Sequence, residues 1–126
     1  MKKVLRHIFR FRGFTESLKL ASIGIIYLLR YHRNMRIIFL SGAAAFILGI
    51  YFELNGIELV VLLITITLVF VAEIFNTAIE LIIDTSIKKY HTLVKLVKDI
   101  AAAVVLITSL NAIAVGCILF AKKLFR

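Results

Sequence analysis

The fold is decided by one apolar stretch, LVVLLITITLVFVAEIFNTAIELIID, which occupies residues 59–84. As a helix with a rise of about 1.5 Å per residue, it is long enough to cross the hydrocarbon layer of a membrane. Its second half nevertheless carries Glu73, Asn76, Glu80 and Asp84. Because ionisable groups inside a membrane are costly, they indicate a function. The stretch therefore predicts both a spanning helix and a candidate site.

The four polar residues of this stretch are spaced so that they share one side of a helix. At about 100° per residue they all lie within roughly 60° of Glu73. The opposite side carries Phe75, Ala78 and Ile82, which suit lipid or a neighbouring helix. Glu73 lies about 16 Å from Asp84 along the helix axis. The polar side is therefore predicted to run from the membrane surface into its interior.

The rest of the chain is equally apolar. Of its 126 residues, 62% are hydrophobic and none is proline, and its mean hydropathy is +1.02. This composition predicts an all-α membrane protein that forms a single domain over residues 1–126. Three spanning helices are expected at about 35–52, 59–83 and 100–121. Basic and apolar residues at helical spacing before them predict an amphipathic helix on the membrane surface, at about 1–31.

The distribution of charge predicts the orientation. Residues 1–36 carry nine Lys or Arg against one glutamate, and residues 85–99 carry four lysines against one aspartate. The turn at 53–58 has two glutamates and no basic residue. The positive-inside rule therefore places the N-terminus and the second connection in the cytoplasm. With a net charge of +9, the chain is expected to interact with anionic lipid headgroups and phosphate, not with nucleic acid.

The acidic side and the second connection together suggest three kinds of function. Glu80 and Asp84, near water, could hold a divalent cation through their oxygens, and the deeper Glu73 could accept a proton. Lysines beside such carboxylates suit a polyphosphate, and Lys98 is the preferred candidate because it precedes Asp99 where the third span begins. The alternatives are a proton or cation pathway, and polar residues that merely join helices.

The stretch EIFNTAIELIID, followed by YHTLVKLVKD at residues 90–99, resembles the bacterial diacylglycerol kinase and undecaprenol kinase family, which are small integral-membrane lipid kinases. The resemblance covers about residues 12–126 and also includes HRNMR at residues 32–36. Its most specific positions are Glu73, Asn76, Thr77, Ala78, Ile79, Glu80, His91, Lys98 and Asp99.

The resemblance implies a homotrimer in the bacterial inner membrane that transfers the γ-phosphate of Mg-ATP to a lipid hydroxyl. In that family's scheme Glu73 is the general base and Glu80 a metal ligand. The remaining implied positions fall into two groups. Glu80, Lys89, Tyr90, His91, Lys98 and Asp99 would border the nucleotide, and Asn76, Asp84, Gly24 and Ala102 would support the lipid side.

One position departs from the family pattern. Where the family offers a glutamate before the first span, as a second metal ligand, this chain has His32. Mg²⁺ prefers oxygen, so water or ATP oxygens would complete its shell, or His32 would shift the preference towards Mn²⁺ or Zn²⁺. A catalytically impaired homologue is the further alternative. The acceptor is expected to be undecaprenol or diacylglycerol, and HRNMR favours undecaprenol.

Overall fold

The computed structural model describes residues 13–89 and 91–125, which form four helices. We label them α1 (Phe14–Tyr31), α2 (Arg33–Tyr51), α3 (Gly56–Ser86) and α4 (Thr92–Leu124). The chain divides at His32 into two units, so that α1 belongs to one and α2 to α4 to the other. The predicted all-helical fold is confirmed for the described residues.

The helices α2, α3 and α4 are each long and apolar enough to cross a membrane. This confirms the prediction of three such helices, although their ends differ from the predicted spans. In particular, α4 begins at Thr92, well before residue 100, because polar and apolar residues alike continue the helix. Lys98 and Asp99 therefore lie inside α4, and the expectation that they mark its start is wrong.

The predicted surface helix is represented by α1. None of its residues is buried. The part of the prediction that concerns residues 1–12 lies outside the described residues. The amphipathic placement of this segment on a membrane remains a prediction.

The turn between α2 and α3 is closed by a Schellman motif. The backbone N–H of Leu54 donates to the carbonyl of Gly49 at 3.0 Å, and that of Glu53 donates to Ile50, also at 3.0 Å. Glu53 adopts a left-handed conformation with a φ of 52°, a position at which glycine is usual. Leu54, the residue that follows, is buried. The turn thus ends α2 in a defined geometry.

The N-terminus of α3 is fixed directly after this turn. The side chain of Asn55 accepts from the backbone N–H of Glu58 at 3.0 Å, and the carboxylate of Glu58 accepts from that of Asn55 at 2.9 Å. This reciprocal capping box satisfies two donors that a helix terminus otherwise leaves unpaired.

Packing within the second unit centres on α3, which contacts both α2 and α4. Leu54, Leu62 and Leu119 form a buried cluster near the turn, with Leu59 and Phe120 against it. Close approach requires small residues on α2. A Cβ at Gly42 would lie 2.7 Å from the Cγ2 atom of Ile66, and one at Gly49 would lie 2.9 Å from the Cδ2 atom of Leu62.

Candidate functional site

The polar residues predicted on one side of α3 lie on a single uninterrupted helix. Its span from Gly56 to Ser86 includes Glu73, Asn76, Glu80 and Asp84. The helix places these residues in different environments, from buried in its middle to exposed near its end.

Glu73 is the buried member of this set, with 4% of its surface exposed. Thr77, one turn further along, is 2% exposed. Residues four apart lie on the same face of a helix, so Glu73 and Thr77 are two buried polar residues on one face of α3. The sequence motif includes Thr77 among its specific positions but assigns it no role. Its spacing from Glu73 was the signal that could have identified it.

Asn76 borders a groove between α3 and α4. The groove has a volume of about 280 Å³ and is lined largely by apolar residues, among them Phe75, Ala101 and Val104. The Oδ1 atom of Asn76 is buried and has no hydrogen-bond partner among the described residues. A buried amide oxygen without a partner is costly. A ligand hydroxyl entering this groove could supply the missing donor.

Glu80 and Asp84 lie towards the end of α3, and both are exposed. The carboxylate of Asp84 accepts a hydrogen bond from the Nζ atom of Lys98 at 2.6 Å, which joins the ends of α3 and α4. Glu80 is close enough to interact electrostatically with the same ammonium group. Lys98 is thus paired across the connection with Asp84, a contact that the sequence analysis did not anticipate.

The connection between α3 and α4 contributes His91 to the helix that follows it. His91 is the N-cap of α4, and its Nδ1 atom accepts from the backbone N–H of Leu93 at 3.2 Å. The Nε2 atom remains on the other side of the ring and can carry the proton when Nδ1 is an acceptor. Lys89 and Asp99 are exposed. Tyr90, also predicted to border the nucleotide, lies outside the described residues.

The predicted residues in and beside α1 have simpler surroundings. His32 is partly buried at the C-cap of α1, where its backbone N–H donates to Leu28. Its ring lies 5.8 Å from that of Tyr27, measured between centroids. Gly24 is exposed, and a Cβ there would meet no atom within 4 Å. Ala102, on α4, is also exposed.

Among residues 13–89 and 91–125, no three His, Cys, Asp or Glu side chains are grouped as a metal site. Mg²⁺ does not require such a group, because it commonly binds one or two carboxylates together with water and substrate phosphates. Glu80 offers an exposed carboxylate of this kind, whereas Asp84 already pairs with Lys98. The described donors therefore include a carboxylate, that of Glu80, of the kind to which Mg²⁺ binds.

Comparison with known proteins identifies the family. A family model described as prokaryotic diacylglycerol kinase matches residues 19–120 of this chain. The chain belongs to that family. The match includes α2 and α3 entirely and most of α4. The resemblance that the Glu73–Asp99 motifs indicated is therefore confirmed.

Curated members of the family show the same relationship. The chain is 36% identical over 105 residues to a diacylglycerol kinase of Synechocystis. The aligned residues make up 82% of this chain and 60% of the relative. It is 33% identical over 111 residues to the undecaprenol kinase of Bacillus subtilis, which covers 88% of this chain and 90% of the relative.

A third relative is the diacylglycerol kinase of Escherichia coli K12, at 35% identity over 75 residues, with 60% of this chain and 62% of the relative covered. The chain thus spans less than two thirds of the two diacylglycerol kinases, but nearly all of the undecaprenol kinase. These relatives are lipid kinases by name, and membership of the family supports the prediction that this chain is an enzyme of that class.

Proposed function

We propose that the protein transfers the γ-phosphate of ATP to the hydroxyl group of a membrane lipid, either undecaprenol or diacylglycerol. The observation that carries this proposal is the arrangement on α3, where a buried carboxylate and exposed carboxylates follow one another towards a lysine-rich connection. A membrane-dissolved alcohol and a water-soluble polyphosphate could approach this polar side of the helix from opposite directions, one from the membrane interior and the other from its surface.

The lipid side of the proposal centres on Glu73. Its carboxylate is buried on a helix apolar enough to span a membrane, so a lipid hydroxyl could reach it without leaving the membrane. There Glu73 would accept the hydroxyl proton as the oxygen attacks phosphorus. The Oδ1 atom of Asn76 would hold the hydroxyl or a nearby donor. Ala102, which is small and exposed on α4, would leave room for the acyl or prenyl chain.

The phosphate side centres on the connection between α3 and α4. Lys98 and Lys89 would neutralise the triphosphate, and His91 could donate from Nε2 while Nδ1 caps the helix. Tyr90 and Asp99 would border the rest of the nucleotide. Phosphoryl transfer depends mainly on positioning and charge neutralisation, so a small set of side chains is chemically sufficient.

A divalent cation belongs to this proposal through Glu80. Mg²⁺ would bind this carboxylate and phosphate oxygens, and Mn²⁺ or Zn²⁺ are the alternatives. When bound, the ion would neutralise charge that develops on the transferred phosphoryl group. The contacts of His32 with Leu28 and Tyr27 favour a structural role for this residue in the part of the chain that includes α1.

We further propose that three copies form the active enzyme in a bacterial inner membrane, with the N-terminus in the cytoplasm. The exposed apolar surface of α2, α3 and α4 supports a membrane or further copies as its surroundings, since large hydrophobic side chains are exposed along all three helices. The positive-inside rule supports the orientation.

The test is the transfer of labelled γ-phosphate from ATP to lipid in mixed micelles. Purified protein is offered diacylglycerol or undecaprenol with Mg²⁺, Mn²⁺ or Zn²⁺ in turn. We expect a labelled lipid with Mg²⁺, and its identity names the acceptor. Glu73→Gln should lower transfer by at least about 1,000-fold, because the proton acceptor is lost. Retention of full activity by this variant would contradict the role of Glu73.

The same assay separates the alternative functions. Absence of transfer by a folded oligomer, followed by a gain in His32→Glu, would identify a catalytically impaired homologue. Ion flux in sealed vesicles without ATP, abolished by Glu73→Gln, would instead identify a proton or cation pathway. Size measurement by analytical ultracentrifugation tests the trimer independently of activity.

A further inference from the structure

We infer that Asp84 is a positioning residue, which acts on phosphoryl transfer by holding the ammonium group of Lys98. The inference rests on the proposed lipid kinase function and adds a role for the ion pair that joins α3 to α4. It assigns to Asp84 a place on the phosphate side of the site, although the sequence motif suggested the lipid side.

The geometry of the pair supports this role. Asp84 is the third residue from the C-terminal end of α3, and Lys98 lies in the second turn of α4. Their contact, at 2.6 Å between Nζ and Oδ1, connects residues 14 positions apart. It therefore closes the intervening connection at its base. Lys88 and Lys89 lie within the segment that this contact closes.

The chemistry of lysine explains why a holder is needed. A lysine side chain has a flexible four-carbon stem and a compact charge, so an unsupported ammonium group samples many positions. Pairing with Asp84 confines it, and Glu80 adds attraction from one turn away on α3. An ammonium group held before the nucleotide arrives needs less reorganisation to stabilise charge during transfer.

The exposure of the pair separates positioning from stability. The side chains of Lys98 and Asp84 are 37% and 63% exposed. Ion pairs at such exposure contribute little to folding. Variants that break the pair should therefore keep the fold, and a change in activity can be assigned to the position of Lys98.

The test is a double-mutant cycle on phosphoryl transfer in mixed micelles, with Asp84→Asn, Lys98→Met and the double variant. We expect Asp84→Asn to lower kcat about tenfold, because Lys98 is displaced, while KM for ATP changes less than about twofold. The double variant should be no slower than Lys98→Met alone, and Asp84→Glu should recover most of the activity. Glu53→Gln, which removes a carboxylate beyond the other end of α3, is the matched control.

Several outcomes would overturn the inference. These are an unchanged kcat in Asp84→Asn, multiplicative effects of the two substitutions, or a lower KM for ATP at unchanged kcat. The last result would show that Asp84 competes with phosphate for Lys98.

A second measurement needs no turnover and so distinguishes this inference from the proposed function. Lysine residues are labelled with an amine-reactive reagent, and the extent at Lys98 and Lys95 is measured by mass spectrometry. We expect Asp84→Asn to raise labelling of Lys98 several-fold and to leave Lys95, one turn earlier, unchanged. Equal labelling of Lys98 in both proteins would overturn the inference even if the wild type is an active kinase. A wild type without transfer activity would contradict the proposed function, and with it the effect of Asp84 on phosphoryl transfer, whereas the labelling result would still decide whether Asp84 holds Lys98.

Discussion

The two ends of the helical unit formed by α2, α3 and α4 are built on different principles. The turn end, which we define as residues 53–58 with Leu119 and Lys123, is closed by local backbone hydrogen bonds, a capping box and buried leucines. The connection end, defined as residues 80–89 and 91–99, also has local backbone hydrogen bonds, but its described side chains add an exposed ion pair and a histidine cap. From this difference we expect stability to be concentrated at the turn end, and we proposed above that phosphate binds at the connection end.

Charged residues illustrate the contrast. At the turn end, Lys123 donates from Nζ to the carbonyl of Glu53 at 2.9 Å, and the carboxylate of Glu58 accepts from a backbone N–H. Each of these groups completes a backbone contact. At the connection end, Glu80 and Asp84 are exposed carboxylates, and Asp84 meets a second side chain. Such groups remain accessible to a ligand.

The largest effect that we expect in this comparison of the two ends separates two glutamates on α3. Glu80→Gln should lower kcat for phosphoryl transfer by about 100-fold, because it removes a charge proposed to bind the metal and nucleotide. Its unfolding midpoint in detergent should not change. Glu58→Gln at the turn end is the matched control, since glutamine retains an oxygen that can accept in the capping box. Similar activities of the two variants would contradict the division between the ends.

The next effect concerns the buried leucines. Leu119→Ala should lower the free energy of unfolding by about 2–3 kcal/mol, since it removes packing from the Leu54 and Leu62 cluster. Leu93→Ala is the matched control near the connection end, where the side chain is 62% exposed. Unfolding is followed in mixed micelles with increasing SDS. If both substitutions lower the free energy of unfolding by the same amount, the buried cluster does not contribute more to stability than an exposed leucine.

The smallest effect compares the N-caps of α3 and α4. Asn55→Ala should lower the free energy of unfolding by about 1 kcal/mol through loss of the capping box, with little effect on activity. The cost at His91 should be smaller, because a single bond of 3.2 Å caps α4 there.

The role of His91 in nucleotide binding can be separated from its role as a cap. His91→Asn supplies a new side-chain acceptor and should restore the stability that His91→Ala loses. It should not restore KM for ATP if Nε2 contacts phosphate. The deciding measurement is KM for ATP in each variant, obtained by varying the ATP concentration. Recovery of both stability and KM in His91→Asn would show that this residue acts only as a cap.

Much of the fold could be predicted because its signals are local. Long apolar runs identified the three helices, and the spacing of Glu73, Asn76 and Glu80 identified the polar side of α3. The motif also identified the family. These inferences depend on composition and on the helical repeat, which can be read within a single segment.

The details of the site were less predictable because they depend on neighbouring segments. Lys98 was associated with Asp99, its neighbour in sequence, yet it pairs with Asp84 on another helix. The burial of Thr77 and the groove beside Asn76 likewise depend on how α3 meets its neighbours. Glu53 adopts a left-handed conformation, but nothing in the sequence signalled it because the position is not a glycine.

The sequence by itself determined that the chain forms apolar helices, that carboxylates recur on one side of α3, and that the protein is a member of this kinase family. Only the tertiary structure decided which carboxylate is buried, which is exposed and which pairs with Lys98. The physical reason is that hydropathy and helical periodicity are properties of one segment, whereas burial and ion pairing arise when separate helices come into contact.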